Sequence, residues 1–354
     1  MAWGPIQGHD KIVAMFRRAI ERNRLASTFL FVGPEGIGKS RFAKRFAQAL
    51  LCTTRSDAEL EPCGTCPTCK QVQSGNHPDV TWIQKPEERS FLPVRLFLGD
   101  GEQRGKEGLC HEISMKPQSG SRKIAVIEDA DYLNAEGANS LLKLLEEPPP
   151  RSVLILICTS LDRQLPTIRS RCQVIRFSPL SDDEVAQVLL NQELVENQKD
   201  AQSLAENSKG SVTQALAGLD QELTDFSQQL AQAWSDPRFS SVKLAAETLS
   251  FVDQAGKESR QRRLRLKTLG EKSIDFFRTV QQTQLGVTAN SSWEPTASNM
   301  LKNWSGQAEY FAEEAIEVTI EMMQHVDRNV HLTTAIEGWW DQMAKTREKC
   351  LQQA

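Results

Sequence analysis

Residues 29–40 read FLFVGPEGIGKS. From Gly33 to Ser40 the stretch satisfies G-x-x-x-x-G-K-[ST] at every fixed position. Such a loop works because glycines let the backbone curl until its N–H groups converge on phosphate oxygens. Gly33, Gly36 and Gly38 supply that freedom, Lys39 reaches the β- and γ-phosphates, and the Ser40 hydroxyl ligates Mg²⁺. The motif has force only between a strand and a helix, and both flanks comply. TFLFV (28–32) is a short apolar strand, and Phe42, Phe46, Ala49 and Leu50 recur at helical spacing after the loop.

Residues 9–22 place Ile12, Val13, Phe16 and Ile20 on one helical face. DVTWIQ (79–84), KIAVIEDAD (123–131) and SVLILICTS (152–160) read as further strands, the last two continuously apolar. A helix is expected over 134–147, with Leu141, Leu142 and Leu145 inward and Pro148 ending it. Strands alternating with helices predict an α/β domain with a parallel sheet covered on both faces. Residues 85–121 are rich in Gly, Pro and charge, and an elongated excursion with one short helix is expected there. From about residue 180 the pattern is helical to the end, opening with SPLSDDEV, whose acids suit a helix N-terminus. The expected domains are an α/β nucleotide-binding domain over 1–180, a helical lid over 181–240 and an all-α domain over 241–354.

The chain has 354 residues, a formal net charge of −4 and 25% charged residues. Global charge therefore does not advertise nucleic-acid binding, so a DNA contact must come from a local patch or from partners. The N-terminus lacks a signal pattern and no apolar run is long enough for a bilayer, which predicts a soluble cytoplasmic protein without membrane contact. Thiols stay reduced in that compartment, so the eight cysteines need another use.

Four of them, Cys52, Cys63, Cys66 and Cys69, fall in residues 52–69 among Pro and Gly turns. Four thiolates at this spacing suit a closed, structural tetrahedral Zn²⁺ site. A redox pair or four unrelated thiols are the alternatives. Glu128 and Asp129 follow the 123–127 strand, where hydrolysis on such a scaffold needs one acid in the Mg²⁺ shell and a second to polarise water. The usual order, Asp then Glu, is swapped. That leaves Glu128 as the metal-shell candidate and makes Asp129 a short base; a solvated strand end is the plain alternative.

The order of motifs resembles the clamp-loader subunits of the AAA+ ATPase family. It runs from the phosphate loop through C-x10-C-x2-C-x2-C and GNHPDV (75–80) to SLLKLLEEPPP (140–150) and LPTIRSRC (165–172). The likeness covers residues 5–220 well and the C-terminal third loosely. It implies an AAA+ P-loop domain carrying an inserted zinc module, a lid, and a collar domain that joins five subunits. It implies that Arg171, in the Ser170-Arg171-Cys172 triplet, is an arginine finger projected into a neighbour's ATP site. Thr159 matches the polar position that senses the γ-phosphate, with Ser160 as a substitute. The implied partners are motor subunits of the gamma/tau type, a delta-type subunit, the sliding clamp and primer–template DNA, within a heteropentamer. Zn²⁺ is the implied structural ion, and ATP with Mg²⁺ the implied ligand.

Within this family the swapped acids, the GNHPDV phrasing and Thr213 in GSVTQAL (210–216), where motor subunits carry an arginine, favour a static finger-donating subunit with weak or no ATPase of its own. An ATP-hydrolysing motor subunit is the alternative, and a zinc-bearing nucleic-acid-binding module a third reading. Residues 90–115 are longer than the family pattern. Residues 257–272 concentrate basic residues but interleave Leu264, Leu266 and Leu269 without aromatics, so a solvated helix face is expected ahead of a phosphate contact. Trp339 and Trp340 read as helix-packing or interface residues.

Overall fold

A computed structural model describes every residue except 1, 2, 4, 5, 87, 88, 90, 207, 257, 258, 288–290, 305, 329, 353 and 354. The chain forms two compact units, Met1–Leu216 and Ala217–Ala354.

The first unit is built on five parallel strands: β1 (Thr28–Val32), β2 (Val80–Ile83), β3 (Lys123–Ile127), β4 (Ser152–Cys158) and β5 (Gln173–Arg176). Their order is β2-β3-β4-β1-β5. Every residue of β1, β3 and β4 is buried, as parallel strands covered on both faces require. Alternation divides them between two cores. Phe29, Phe31, Ile124, Val126, Val153 and Ile155 face one side, where α1 (Asp10–Glu21) and α2 (Lys39–Leu51) pack. Leu30, Val32, Ala125, Ile127, Leu154 and Leu156 face the other. On that side lie α4 (Arg95–Leu98), α5 (Leu109–Ser114), α6 (Ala135–Glu146) and α7 (Pro166–Arg169), while α3 (Pro67–Ser74) follows the cysteine segment.

The register decides where the site sits. β1 lies between β4 and β5, and β3 lies beside β4. The loop after β1, Thr159 after β4 and Glu128 after β3 therefore emerge at one carboxyl edge of the sheet, where ligands of open α/β sheets bind. Below the loop, Phe16, Phe29, Phe31, Phe42, Phe46 and Phe177 form a continuous aromatic cluster with centroid spacings of 4.4 to 6.5 Å. Truncating one such ring costs about 3–5 kcal/mol, so the cluster is a stiff floor for the loop.

Three local expectations are revised. Leu144 is buried in α6, and Leu142 is only half-buried. The 85–121 excursion carries two short helices, α4 and α5, and a 3₁₀ turn at Gly101–Gln103; Ser90 lies outside the described residues. β5 was not read from the sequence because it is a four-residue edge strand with two exposed positions.

Helices α8 (Asp182–Asn191), α9 (Gln198–Glu206) and α10 (Val212–Ala217) close the first unit around Leu180, Val185, Leu189 and Ala215. Ser181 and Glu184 form a capping box at the start of α8, with Asp182 and Asp183 in its first turn, as the sequence leads one to expect.

The second unit is all-helical: α11 (Gln221–Trp234), α12 (Ser241–Asp253), α13 (Ser259–Gln284), α14 (Glu294–Asn303), α15 (Ala308–Asp327) and α16 (Leu332–Gln352). Trp339 and Trp340 are buried in its core, where their indole N–H groups donate to Thr319 Oγ1 (3.1 Å) and Thr248 Oγ1 (3.0 Å). The basic residues of α13 are largely consumed within this unit. Arg262 pairs with Asp253 (3.0 Å), Arg265 with Glu222 (2.8 Å) and Lys267 with Asp327 (2.9 Å). Arg263 donates to the carbonyls of Val326 and Val330 at the end of α15. Lys257 and the Arg260 side chain lie outside the described residues. Most of the stretch is thus neither a solvated face nor a free cationic surface.

Candidate functional site

Gly36 (φ 78°) and Gly38 (φ 93°) take the left-handed backbone that the phosphate loop requires. Gly38 is the N-cap of α2, and no side chain caps the helix there. The first-turn N–H groups of α2, with the positive end of its dipole, fit an anionic ligand.

The loop is held from three directions. Lys39 is only 7% exposed, and its ammonium donates to the carbonyls of Gly33 (2.6 Å) and Pro34 (2.5 Å). Burial lowers its pKa, an effect the charge of Asp131 opposes. From α1's side, the buried His9 lies with Nε2 2.8 Å from the Ile37 carbonyl. From α10, the Val212 N–H donates to the Gly36 carbonyl (3.0 Å), and a Cβ on Gly36 would collide with Ser211 and Thr213. Thr213 therefore packs against the loop as a short side chain.

The acids separate. Glu128 and Ser40 line one groove of about 720 Å³, together with Arg41, Lys44, Trp82 and Gln192. Those two oxygens are the pair expected to hold Mg²⁺. Asp129 has φ 55°, and its carboxylate accepts the Lys85 N–H (3.2 Å). Asp131 was not singled out from the sequence, yet it is the acid whose charge Lys39 feels most. Its Oδ2 accepts the Thr159 N–H (2.7 Å), and its Oδ1 is buried without a partner among the described residues. Burial pushes its pKa up against those hydrogen bonds. No periodicity marks it, because β3 ends at Ile127, Asp129 is left-handed and Asp131 sits in the 3₁₀ turn Ala130–Tyr132.

Arg171 lies just past α7, at the surface. Its Nε (2.8 Å) and Nη2 (2.5 Å) both donate to Glu146 Oε1, and Nη1 donates to the Thr167 carbonyl (3.0 Å). Thr28 Oγ1 anchors the backbone by donating to the Arg171 carbonyl (2.8 Å). The side chain of Arg171 is 31% exposed and that of Glu146 49%. Glu146 belongs to the LEEPP stretch, so the motif contained the finger's partner without disclosing the pairing. The flanking Cys172 and Cys158 are buried thiols with pKa pushed up to about 12, which makes them packing residues.

The cysteine cluster does assemble: the Sγ atoms of Cys52, Cys63, Cys66 and Cys69 lie within 4.8 Å of one another. The Cys66 N–H donates to Cys63 Sγ (3.3 Å) and the Cys69 N–H to Cys66 Sγ (3.4 Å). The former, aided by Thr65, holds the Cys63 thiol down to about 5. At Cys66 burial acts upward, but bonds from Cys69 and Thr53 bring it to about 7. Cys69 is raised by burial. Four convergent sulfurs supported by N–H···S bonds fit a closed tetrahedral ion. The segment is tied to α2 through Gln48, whose Nε2 donates to the Cys69 carbonyl (2.8 Å).

GNHPDV also acquires a structural meaning. Asp79 is fully buried, and its carboxylate accepts the N–H groups of Gln118 (2.7 Å), Ser119 (2.8 Å) and Gly120 (2.6 Å). Lys123 Nζ lies 3.5 Å away. Burial disfavours the charge, but these bonds outweigh it and lower the pKa. The motif locks the turn that delivers β3, and with it Glu128, to the sheet.

The sequence profile of a family described as "DNA polymerase III, delta subunit" matches residues 8–181. Among curated relatives, the DNA polymerase III subunit delta' of Bacillus subtilis is 33% identical over 184 residues, 52% of each chain. That of Pseudomonas aeruginosa is 38% identical over 151 residues, 43% of each. The tau/gamma subunit of Haemophilus influenzae is 30% identical over 62% of this chain and 30% of its own. The matches therefore span about half the length of the delta' relatives. Among the described residues, no helix is long and apolar enough to cross a membrane.

Proposed function

We propose that this chain, whose residues 8–181 match the DNA polymerase III delta-subunit family and resemble its delta' members, is the delta' subunit of a clamp loader. In this reading it joins gamma/tau and delta subunits in a heteropentamer that opens the sliding clamp and closes it on primer–template DNA. Residues 1–180 are an AAA+ nucleotide-binding domain, 181–240 a lid and 241–354 a collar. Packing joins α11 to the second unit, so the lid's contact with the loop comes from α10.

One contrast carries the reading: Lys39 is turned onto its own loop, while Arg171 is presented at the surface. Arg171 serves as the finger for a neighbour's ATP, where a planar guanidinium stabilises charge on the transferring γ-phosphoryl group. In the chain's own site, Gly33, Gly36, Gly38, Lys39 and Ser40 would hold a nucleotide's phosphates, and Ser40 and Glu128 its Mg²⁺. Thr159 would sense the γ-phosphate. The ligand would supply the phosphoryl group; the chain supplies N–H donors and one cation. Asp129, committed to Lys85, is a poor base, so the chain's own ATPase is weak or absent. Cys52, Cys63, Cys66 and Cys69 would hold a structural Zn²⁺.

A motor role is the second reading, motivated by the intact loop. Co-purification with gamma/tau and delta subunits, followed by ATPase assays of Arg171→Ala and Lys39→Ala assemblies, separates the two. The finger reading expects a large loss for Arg171→Ala alone; a loss confined to Lys39→Ala would overturn it.

A further inference from the structure

Arg262, Arg265 and Lys267 of α13 are engaged within their own unit, but Lys11 and Arg18 of α1 are not. Lys11, Arg18 and Arg22 are spaced by seven and four residues, which sets them in one line along the exposed side of the helix. Arg24 continues the line in the turn that follows. All four are exposed, and none enters an ion pair or side-chain hydrogen bond among the described residues. Arg17, one flank over, is by contrast engaged by Glu61 (3.6 Å) and the Glu59 carbonyl (3.2 Å). The free cations rim a groove of about 440 Å³ whose floor is Ala14, Met15 and Ala19.

Helix physics explains only part of this row. Cations suit the C-terminal end of a helix, which accounts for Arg18 and Arg22. It does not account for Lys11, which stands in the first turn against the dipole. Nor does it account for four like charges meeting no carboxylate.

We propose that this face of α1 is a contact site for the phosphate backbone of double-stranded nucleic acid. At 1.5 Å rise per residue the cations stand about 10 and 6 Å apart along the helix. Phosphates follow one another by about 3.4 Å of axis along each strand, so the row is long enough to span several phosphates of one backbone. The groove holds no aromatic ring on which an unpaired base would stack, so the contact is electrostatic and indifferent to sequence. It also lacks the large anchor that a protein partner's interface centres on, since Met15 is its bulkiest floor residue. With a net charge of −4 on the chain, attraction to a polyanion has to arise from such a local row.

The test uses the full chain and a labelled mixed-sequence duplex of about 20 base pairs, with anisotropy read from about 25 to about 150 mM salt. Lys11→Gln, Arg18→Gln, Arg22→Gln and Arg24→Gln are combined in one variant. A control combines Lys116→Gln, Lys199→Gln, Lys302→Gln and Lys349→Gln, exposed lysines elsewhere. Each lost phosphate contact removes about 0.9 from the slope of log K against log salt, so the α1 variant should lose about 3.6 and bind at least about tenfold more weakly at low salt. The control should keep the wild-type slope to within about one. Unchanged thermal melting of both variants shows that the fold is intact. The proposal is overturned if the wild type ignores duplex DNA at low salt, if both variants lose binding equally, or if the α1 variant binds as wild type. Binding of a polyglutamate peptide but not DNA through the same four residues also overturns it, in favour of an acidic protein partner.

Discussion

Lys39 and Arg171 are the two cations proposed to address a triphosphate, and their surroundings differ in kind. Lys39 is buried, and its ammonium is shared between two carbonyls of its own loop. Arg171 is at the surface, and a single carboxylate oxygen and the end of a helical turn hold its fork. A buried ammonium can serve a ligand only after its own bonds to the loop break. A surface guanidinium paired to an exposed Glu146 gives up a bond of modest strength, typically about 0–1 kcal/mol for such pairs. The difference teaches that an intact phosphate-loop motif reports what a loop could bind; the packing around it determines where the chain acts.

The largest effect should fall on the exposed side of this comparison. Arg171→Ala in the assembled complex should slow single-turnover hydrolysis at the neighbouring site by about 10³–10⁵-fold, about 4–7 kcal/mol of barrier. Arg171→Lys should not restore it, because an ammonium cannot reproduce the planar fork. A loss below tenfold would leave the two cations functionally alike and break the contrast.

Metal removal probes the buried side from behind, because the cysteine segment is tied to α2, the helix that begins at Lys39. Zinc present at about 1,000 times its dissociation constant stabilises by about 4 kcal/mol. Chelation, or Cys69→Ser, should therefore lower the melting temperature of the chain and abolish one equivalent of bound zinc by elemental analysis. If the protein as purified contains no zinc and chelators leave its melting curve unchanged, the four sulfurs are not a metal site.

Gly36→Ala tests the clasp between loop and α10. The alanine meets a left-handed φ and collides with Ser211 and Thr213. Together these should destabilise the first unit by about 2 kcal/mol, seen in denaturant titration. A neutral result would mean that α10 leaves the loop readily and that Lys39 is not confined.

The motif around Lys39 was legible in the sequence, but the contacts that engage the two cations were not. The strand, loop and helix around Lys39 could be read because glycine, lysine and serine are each fixed there by their own chemistry. Glu128 followed from the end of an apolar strand, and Thr159 from the family resemblance alone. Asp131 did not, because what singles it out is burial beside Lys39, a product of the β3–β4 neighbourhood. The pairing of Arg171 with Glu146 joins residues on separate elements, so periodicity is blind to it. The basic stretch on α13 drew attention for the same reason: Asp253, Glu222 and Asp327, which engage it, lie on other helices. The row on α1 escaped notice because its charges are diluted by the apolar face between them.

The smallest effect should come from the motif that dominates the sequence. Lys39→Ala in this chain should change turnover of the assembled complex by less than about twofold, about 0.4 kcal/mol. Two physical terms oppose each other at this position. The substitution removes bonds to the Gly33 and Pro34 carbonyls, but it also removes a charge that burial already disfavours, as its lowered pKa indicates. The same substitution in a motor subunit removes a lysine that must meet phosphate in every cycle, so the pair of variants forms an internal control. Equal losses in the two would mean that the loop here opens, takes ATP and turns over, and that the clasp from α10 is no barrier. A large loss for Arg171→Ala beside a negligible one for Lys39→Ala would locate the chain's catalytic contribution in the neighbouring subunit's site, although its own loop carries the better-known motif.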